Sequence, residues 1–120
     1  MDIGSIYTQW ATNRYFDDEF RHELKAIEGN SLEIRDRFYK ELDFGTAGIR
    51  GVIGAGTNRI NKYVVRRLST AIAAHISAKG QKAKKDGVVI GYDSRNCSEL
   101  FAKEAAAVFA GNGIKVYLHT

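Results

Sequence analysis

The chain has 120 residues, 44% hydrophobic and 27% charged, an ordinary globular balance with enough length to bury about two thirds of its unfolded surface, so one core is expected. A single cysteine, Cys97, excludes an internal disulfide, no apolar run reaches the ~20 residues of a membrane span, and Met1-Asp2-Ile3-Gly4 lacks the basic and apolar regions of a secretory signal, which points to the cytoplasm. A net charge of +4 favours anionic partners without choosing between nucleic acid, membrane and phosphorylated metabolites.

Residues 1–29 read as helical. Ile6, Trp10, Ala11 and Tyr15, then Phe16, Phe20, Leu24 and Ile27, recur at helical spacing, with a break near residues 13–17 where Asp17 or Asp18 is a suitable cap. Gly29 ends this run, and Asn30 or Ser31 opens a further short helix through Leu42, offering Leu32, Phe38, Tyr39 and Leu42 for burial. Such aromatics belong to packing, and residues 1–43 are expected to be a helical extension that fastens the domain's edge. Residues 44–59 then carry many glycines, and Ile49 and Val52-Ile53 pair with the residues that lead into them as short, irregular strands.

A helix is clear from Asn61 to Lys79, with Val64, Val65, Leu68, Ile72 and Ile76 on one apolar face and Gly80 just beyond its C-cap. Lys79, Lys82, Lys84 and Lys85 hold much of the excess charge; they suit a solvated helix end, and no base-stacking aromatics interleave with them. Gly87-Val88-Val89-Ile90-Gly91-Tyr92 is a short apolar run of the kind found in strands covered on both faces. A helix from Glu99 to Ala110 follows, with Leu100 or Phe101, Ala105, Val108 and Phe109 inward; residues 111–113 stop it, and residues 114–118 form the next strand. Strand, helix and strand within about thirty residues make a βαβ unit with parallel strands. The fold class is therefore α/β: amino-terminal helices, then a glycine-rich strand and loop, then a βαβ unit in a mixed sheet, with residues 44–120 as the α/β domain.

Packing alone does not explain Phe44-Gly45-Thr46-Ala47-Gly48-Ile49-Arg50-Gly51. Glycines at every third position let a backbone come close to another group. Thr46 adds a hydroxyl and Arg50 a planar cation that suits phosphate or carboxylate, so the stretch reads as an anion site. Asp93, Ser94 and Arg95 fall at the carboxyl end of the first parallel strand, where ligands of open α/β sheets bind, just before a helix N-terminus that favours anions.

FGTAGIRG, then IGAGTNRIN, then GYDSRNCSELFA, in that order and spacing over roughly residues 38–118, resembles the first domain of the α-D-phosphohexomutases, in their phosphoglucomutase and phosphopentomutase branch. The loop form separates this branch from relatives that carry FGTDGVRG or YDIRG. The resemblance implies a parent enzyme that moves a phosphoryl group between the 1 and 6 positions of a hexose phosphate. A phosphoserine, Mg²⁺ and a glucose 1,6-bisphosphate intermediate take part. Its serine lies in a T-A-S-H-N-P loop, a motif not found in these residues, so the domain is expected to be incomplete at its C-terminus, with no catalytic residue and no metal ligand in this chain. Thr46, Gly48, Arg50, Asp93 and Arg95 are then expected to support the phosphate site, Arg50 beside the phosphoserine or in a salt bridge to Asp93, and Asp93 and Arg95 toward substrate or paired with each other. Expected partners are a phosphorylated sugar and the remaining domains of the same protein, not nucleic acid or membrane.

Alternative readings stay open: a phosphopentomutase or phosphomannomutase of the same superfamily, or a free-standing anion-binding module. Nucleotide motifs fit poorly. Gly54-Ala55-Gly56 lacks the third glycine of a dinucleotide fingerprint, that position being Arg59, and Thr57-Asn58 stands where a P-loop needs lysine and a hydroxyl. His22, His75 and His119 have no metal-ligand spacing, and Cys97 has no histidine beside it in sequence.

Overall fold

The computed structural model describes residues 2–42, 44–45, 48–49, 51–92 and 97–119, with the backbone alone described at 44–45 and 48–49. Two compact units divide the chain, residues 1–61 and residues 62–120, in place of the single core expected from length. The reason is local: each segment has its own amphipathic elements to cover its own apolar face.

The first unit starts with α1 (Ile3–Thr12), α2 (Asp18–Lys25) and α3 (Ser31–Phe38). Asp17 precedes α2, with Asp18 and Glu19 in its first turn, where carboxylates favour the positive end of the helix dipole. Asn30 caps α3, its side chain accepting from Glu33 N at 3.2 Å. The breaks fall where the sequence places them, but α3 ends at Phe38, four residues short of Leu42. Trp10, Phe16, Leu24, Phe38 and Leu42 are buried. The Trp10 and Phe16 rings stack at 4.2 Å, and Phe38 meets Tyr7 and Trp10 edge-on at 6.0 and 5.8 Å. Tyr7 donates its hydroxyl to Leu24 O at 2.7 Å, tying α1 to α2; burial first, and then the charge of Glu28, raises the Tyr7 pKa. Leu32 and Tyr39, expected inside, are 80% and 50% exposed, and Tyr15 is also exposed. A helix this short presents one residue per turn to its neighbours, and Phe38 takes that place on α3.

Two short strands follow, β1 (Phe44–Gly45) and β2 (Gly48–Ile49), paired antiparallel with Phe44 opposite Ile49 and Gly45 opposite Gly48. Ile53 bridges to Ile60 beyond them.

The second unit holds α4 (Lys62–Ala78), α5 (Gln81–Asp86), β3 (Val88–Gly91), α6 (Ser98–Gly111) and β4 (Val116–His119). β3 and β4 run parallel, Val88 opposite Val116 through Gly91 opposite His119, which is the expected βαβ unit. Antiparallel and parallel pairing are thus both present, in two separate two-stranded sheets. Gly80, at φ +102°, separates α4 from α5, so Lys82, Lys84 and Lys85 sit on their own short helix and not at the end of α4.

The inner stripe of α4 differs from the one expected. Ile72 is 42% exposed, while Ser69 and Ala73 are buried. Ala73 packs with Phe109 of α6 and with Ile114, and Ile76, Val88, Ile90, Ala105 and Val116 close around them. Small residues at the α4–α6 contact let the two helices approach, and that gain in packing outweighs burying Ile72. A bidentate ion pair from Arg66 to Glu104, at 2.7 and 3.2 Å, spans the same two helices. β3 alternates between half-buried and exposed, with Val89 75% exposed, so among the described residues it is covered on one face and not on both.

Gly87 sits at φ +78°, ψ −165°, and a Cβ there would stand 2.3 Å from Lys115 O, the acceptor of Val88 N. Gly87→Ala is expected to cost about 1–3 kcal/mol because this backbone region is open only to glycine. Chemical denaturation followed by circular dichroism reads the loss, and a change within about 0.5 kcal/mol would show that the strand start relaxes freely.

Candidate functional site

Of the residues singled out for the anion site, Gly48 lies in β2 opposite Gly45, so two glycines face each other across the hairpin formed by the FGTAGIRG stretch. Thr46, Arg50, Asp93 and Arg95 lie outside the described residues. Cys97, just before α6, has φ +66°, a left-handed conformation uncommon for a residue with a side chain.

What the structure does describe is how the chain beyond the hairpin is held. Residues 51–61 fold back onto α2 and α3. Glu23 of α2 and Arg37 of α3 meet at the Ala55 peptide. Glu23 Oε2 accepts from Ala55 N at 2.8 Å and from Arg37 Nη1 at 2.5 Å, while Arg37 Nη1 also donates to Ala55 O at 3.0 Å. The N–H and C=O of Ala55, which belong to the two adjoining peptide groups, are therefore both satisfied by an ion pair. Ala55 is fully buried. Its neighbours have to be small: a Cβ on Gly54 would lie 3.1 Å from Glu23 Oε2, and one on Gly56, at φ +133°, would lie 2.7 Å from Arg37 O. The Gly-Ala-Gly run is a backbone segment shaped to enter this grip, which accounts for its glycines without a nucleotide.

Arg37 Nε adds a bond to Glu33 Oε1 at 3.0 Å, one helical turn away. Burial works against the Arg37 charge, but the hydrogen bonds and charges of Glu23 and Glu33 outweigh it and raise its pKa above the ordinary guanidinium value. A raised pKa means that this contribution to stability is full below the unfolded value and is lost only as pH rises through the folded one. The guanidinium therefore stays charged through neutral and moderately alkaline conditions.

Thr57, Asn58 and Arg59 cap the end of α3. A helix leaves its last carbonyls without partners inside the helix. Here Asn58 Nδ2 donates to Asp36 O at 3.0 Å, Asn58 N to Arg37 O at 2.9 Å, and the Thr57 hydroxyl to Lys40 O at 2.9 Å. Arg59, 7% exposed, reaches Asp36 Oδ2 through Nη2 at 2.6 Å. Asn61, almost fully buried, donates through Nδ2 to Gly54 O at 2.9 Å and Gly56 O at 3.0 Å, closing the segment on itself just before α4.

This fastened segment in turn holds both ends of the glycine stretch. On the near side, Leu42 N donates to Thr57 O at 3.0 Å. On the far side, Ile60 N donates to Val52 O at 2.8 Å and Gly54 N to Ile60 O at 3.1 Å. A Cβ on Gly51 would come within 2.9 Å of the Leu42 side chain, so the two ends approach each other over that glycine. The sequence reading missed Glu23, Asp36 and Arg37. Only the Glu33–Arg37 spacing of four was visible in advance, and that spacing alone signals a surface pair on a helix.

Comparison with known proteins adds independent findings. Residues 41–120 match the family model described as "Phosphoglucomutase/phosphomannomutase, alpha/beta/alpha domain I". A phosphoglucomutase of Staphylococcus aureus (strain bovine RF122 / ET3-1) is 40% identical over 102 residues, covering 85% of this chain and 18% of the relative. A phosphoglucomutase of Staphylococcus haemolyticus is 43% identical over 81 residues, covering 68% of this chain and 14% of the relative. That of S. aureus strain USA300 is 39% identical over 89 residues, covering 74% and 16%. The chain thus spans less than a fifth of the length of these relatives. No solved structure matches it at a significant level.

Proposed function

Because the chain belongs to the phosphoglucomutase/phosphomannomutase family, matching it over domain I, we propose that it serves as the amino-terminal part of a cytoplasmic phosphoglucomutase that interconverts glucose 1-phosphate and glucose 6-phosphate. The observation that carries this reading is the antiparallel pairing of Phe44–Gly45 with Gly48–Ile49 inside a stretch similar to phosphoglucomutases, with hydrogen-bonded Leu42 and Val52 on either side.

Phosphoryl transfer rests on positioning and on stabilising oxygen charge more than on covalent work by the protein. Glycine amides and the Thr46 hydroxyl are suited to donate to phosphate oxygens, and Arg50 to neutralise them beside the phosphoserine. Asp93 and Arg95 are assigned in this reading to support of the sugar phosphate. The serine comes from the part of this domain that lies outside these residues, and the sugar-reading residues and the Mg²⁺ ligands come from further domains. Among the described residues no group of three His, Cys, Asp or Glu side chains could hold a metal ion. Glucose 1,6-bisphosphate is the intermediate that reorients between the two half-reactions. No helix among the described residues is long and apolar enough to cross a membrane.

The test supplies glucose 1-phosphate, mannose 1-phosphate and ribose 1-phosphate separately to the full-length protein and to residues 1–120. The full-length protein is expected to convert the glucose ester fastest, and the 120-residue chain to turn over none of them. Faster conversion of mannose or ribose phosphate would move the protein to a sister activity. Turnover by residues 1–120 alone would overturn the assignment of the serine to a segment outside these residues.

A further inference from the structure

We propose that Glu23 and Arg37 are positioning residues for the phosphate site: by holding the N–H and C=O of Ala55 they set the placement of the FGTAGIRG hairpin, which neither residue belongs to. This inference rests on the reading of that hairpin as a phosphate site.

The contacts fix the residues that flank the hairpin, Leu42 before it and Val52 after it. Arg37 Nη1 and Glu23 Oε2 hold the Ala55 peptide at 3.0 and 2.8 Å. Asn61 ties Gly54 and Gly56 to each other, and Ile60 carries the constraint to Val52 and Gly54. Thr57 O carries it to Leu42 N, on the other side of the hairpin. A two-stranded hairpin of two residues per strand has little stability of its own, so what fixes it comes from its surroundings.

The ion pair is also an unusual choice if stability were its only task. Arg37 and Glu23 side chains are 14% and 35% exposed, and a desolvated pair is often no more stabilising than apolar residues of the same volume. Its particular contribution is directional: one guanidinium nitrogen and one carboxylate oxygen specify where the backbone of Ala55 lies. A displacement of about 1 Å at a reacting centre costs on the order of a hundredfold in rate, so a device that specifies backbone position has a measurable catalytic consequence.

The experiment compares full-length Arg37→Ala, Arg37→Lys and Glu23→Gln with wild type, and adds Phe16→Leu as a variant that weakens the same unit without touching the grip. All are assayed at a temperature where circular dichroism shows them folded. Two readouts are taken: amide hydrogen exchange over residues 44–56, and kcat and KM for glucose 1-phosphate. Arg37→Ala is expected to speed exchange over 44–56 by about tenfold or more and to lower kcat/KM by about ten- to a hundredfold, mostly in kcat. Arg37→Lys and Glu23→Gln, which keep part of the hydrogen bonding, fall between it and wild type. Phe16→Leu is expected to lower the melting temperature while leaving both readouts at wild-type values.

Wild-type exchange over 44–56 in Arg37→Ala, or an equal rise in Phe16→Leu, overturns the positioning role. So does faster exchange with kcat and KM unchanged. A wild-type protein with no mutase activity instead sinks the function proposed above, and the exchange measurement still decides whether the grip holds the hairpin. Should Arg37→Ala fail to fold, Glu23→Gln, of nearly the same shape, carries both readouts.

Discussion

Arg50→Ala in the full-length enzyme is expected to lower turnover of glucose 1-phosphate by one to three decades, about 1.4 to 4 kcal/mol of lost transition-state stabilisation. During transfer the phosphoryl oxygens carry delocalised charge, and a guanidinium offers two parallel donors to it where an ammonium offers a point charge. Arg50→Lys should therefore recover only part of the loss. Arg59, nine residues further on, is buried and bound to Asp36, an arrangement that caps a helix and leaves no donor fork for a ligand. Arg59→Ala should act mainly on stability. The check is steady-state kinetics with each variant's melting temperature recorded. Turnover of Arg50→Ala within a factor of about two of wild type would return Arg50 to a structural role.

Phe38→Ala is the substitution expected to cost most in stability, about 3–5 kcal/mol. Phe38 is 2% exposed and meets Tyr7 and Trp10 edge-on, so truncation empties the space where α1 and α3 face each other. Against a typical domain stability of about 5–15 kcal/mol, that loss leaves little margin. Trp10 is the chain's single tryptophan and lies beside the cavity, so its fluorescence during urea unfolding reports this unit specifically. A shift corresponding to less than about 1 kcal/mol would mean that the aromatic cluster collapses into the space. The substitution has a second consequence. Phe38 follows Asp36 and Arg37 on α3, and its burial sets the rotation of that helix, so the two residues that hold residues 54–59 depend on Phe38 for their direction. Loosening of the hairpin is expected to accompany the loss of stability.

Several features were legible in the residues because they depend on near neighbours. Asn30 caps α3 as its residue type and its Glu33 partner indicate, and Gly80 separates two helices where a residue with φ > 0 is needed. The strand, helix and strand from Val88 to His119 follow from an apolar run, a periodic segment and another apolar run. The inner faces were legible less well. Ile72 is more apolar than Ala73, yet Ala73 is the buried one, because the contact with α6 selects for closeness of approach, a property of two helices together. Leu32 stays exposed for a similar reason: on a helix of eight residues, the position of Phe38 against Tyr7 and Trp10 fixes the rotation.

The residues alone thus determined the family and the α/β class, since helical periodicity and the order of motifs are written along the chain. Only the tertiary structure decided that residues 54–59 serve α3 and not a ligand, and that Glu23, Asp36 and Arg37 are what they bind. Ala55 stands thirty-two residues after Glu23 and eighteen after Arg37. A hydrogen bond between a side chain and a distant peptide leaves no periodic trace, because its partners are chosen by how the helices pack.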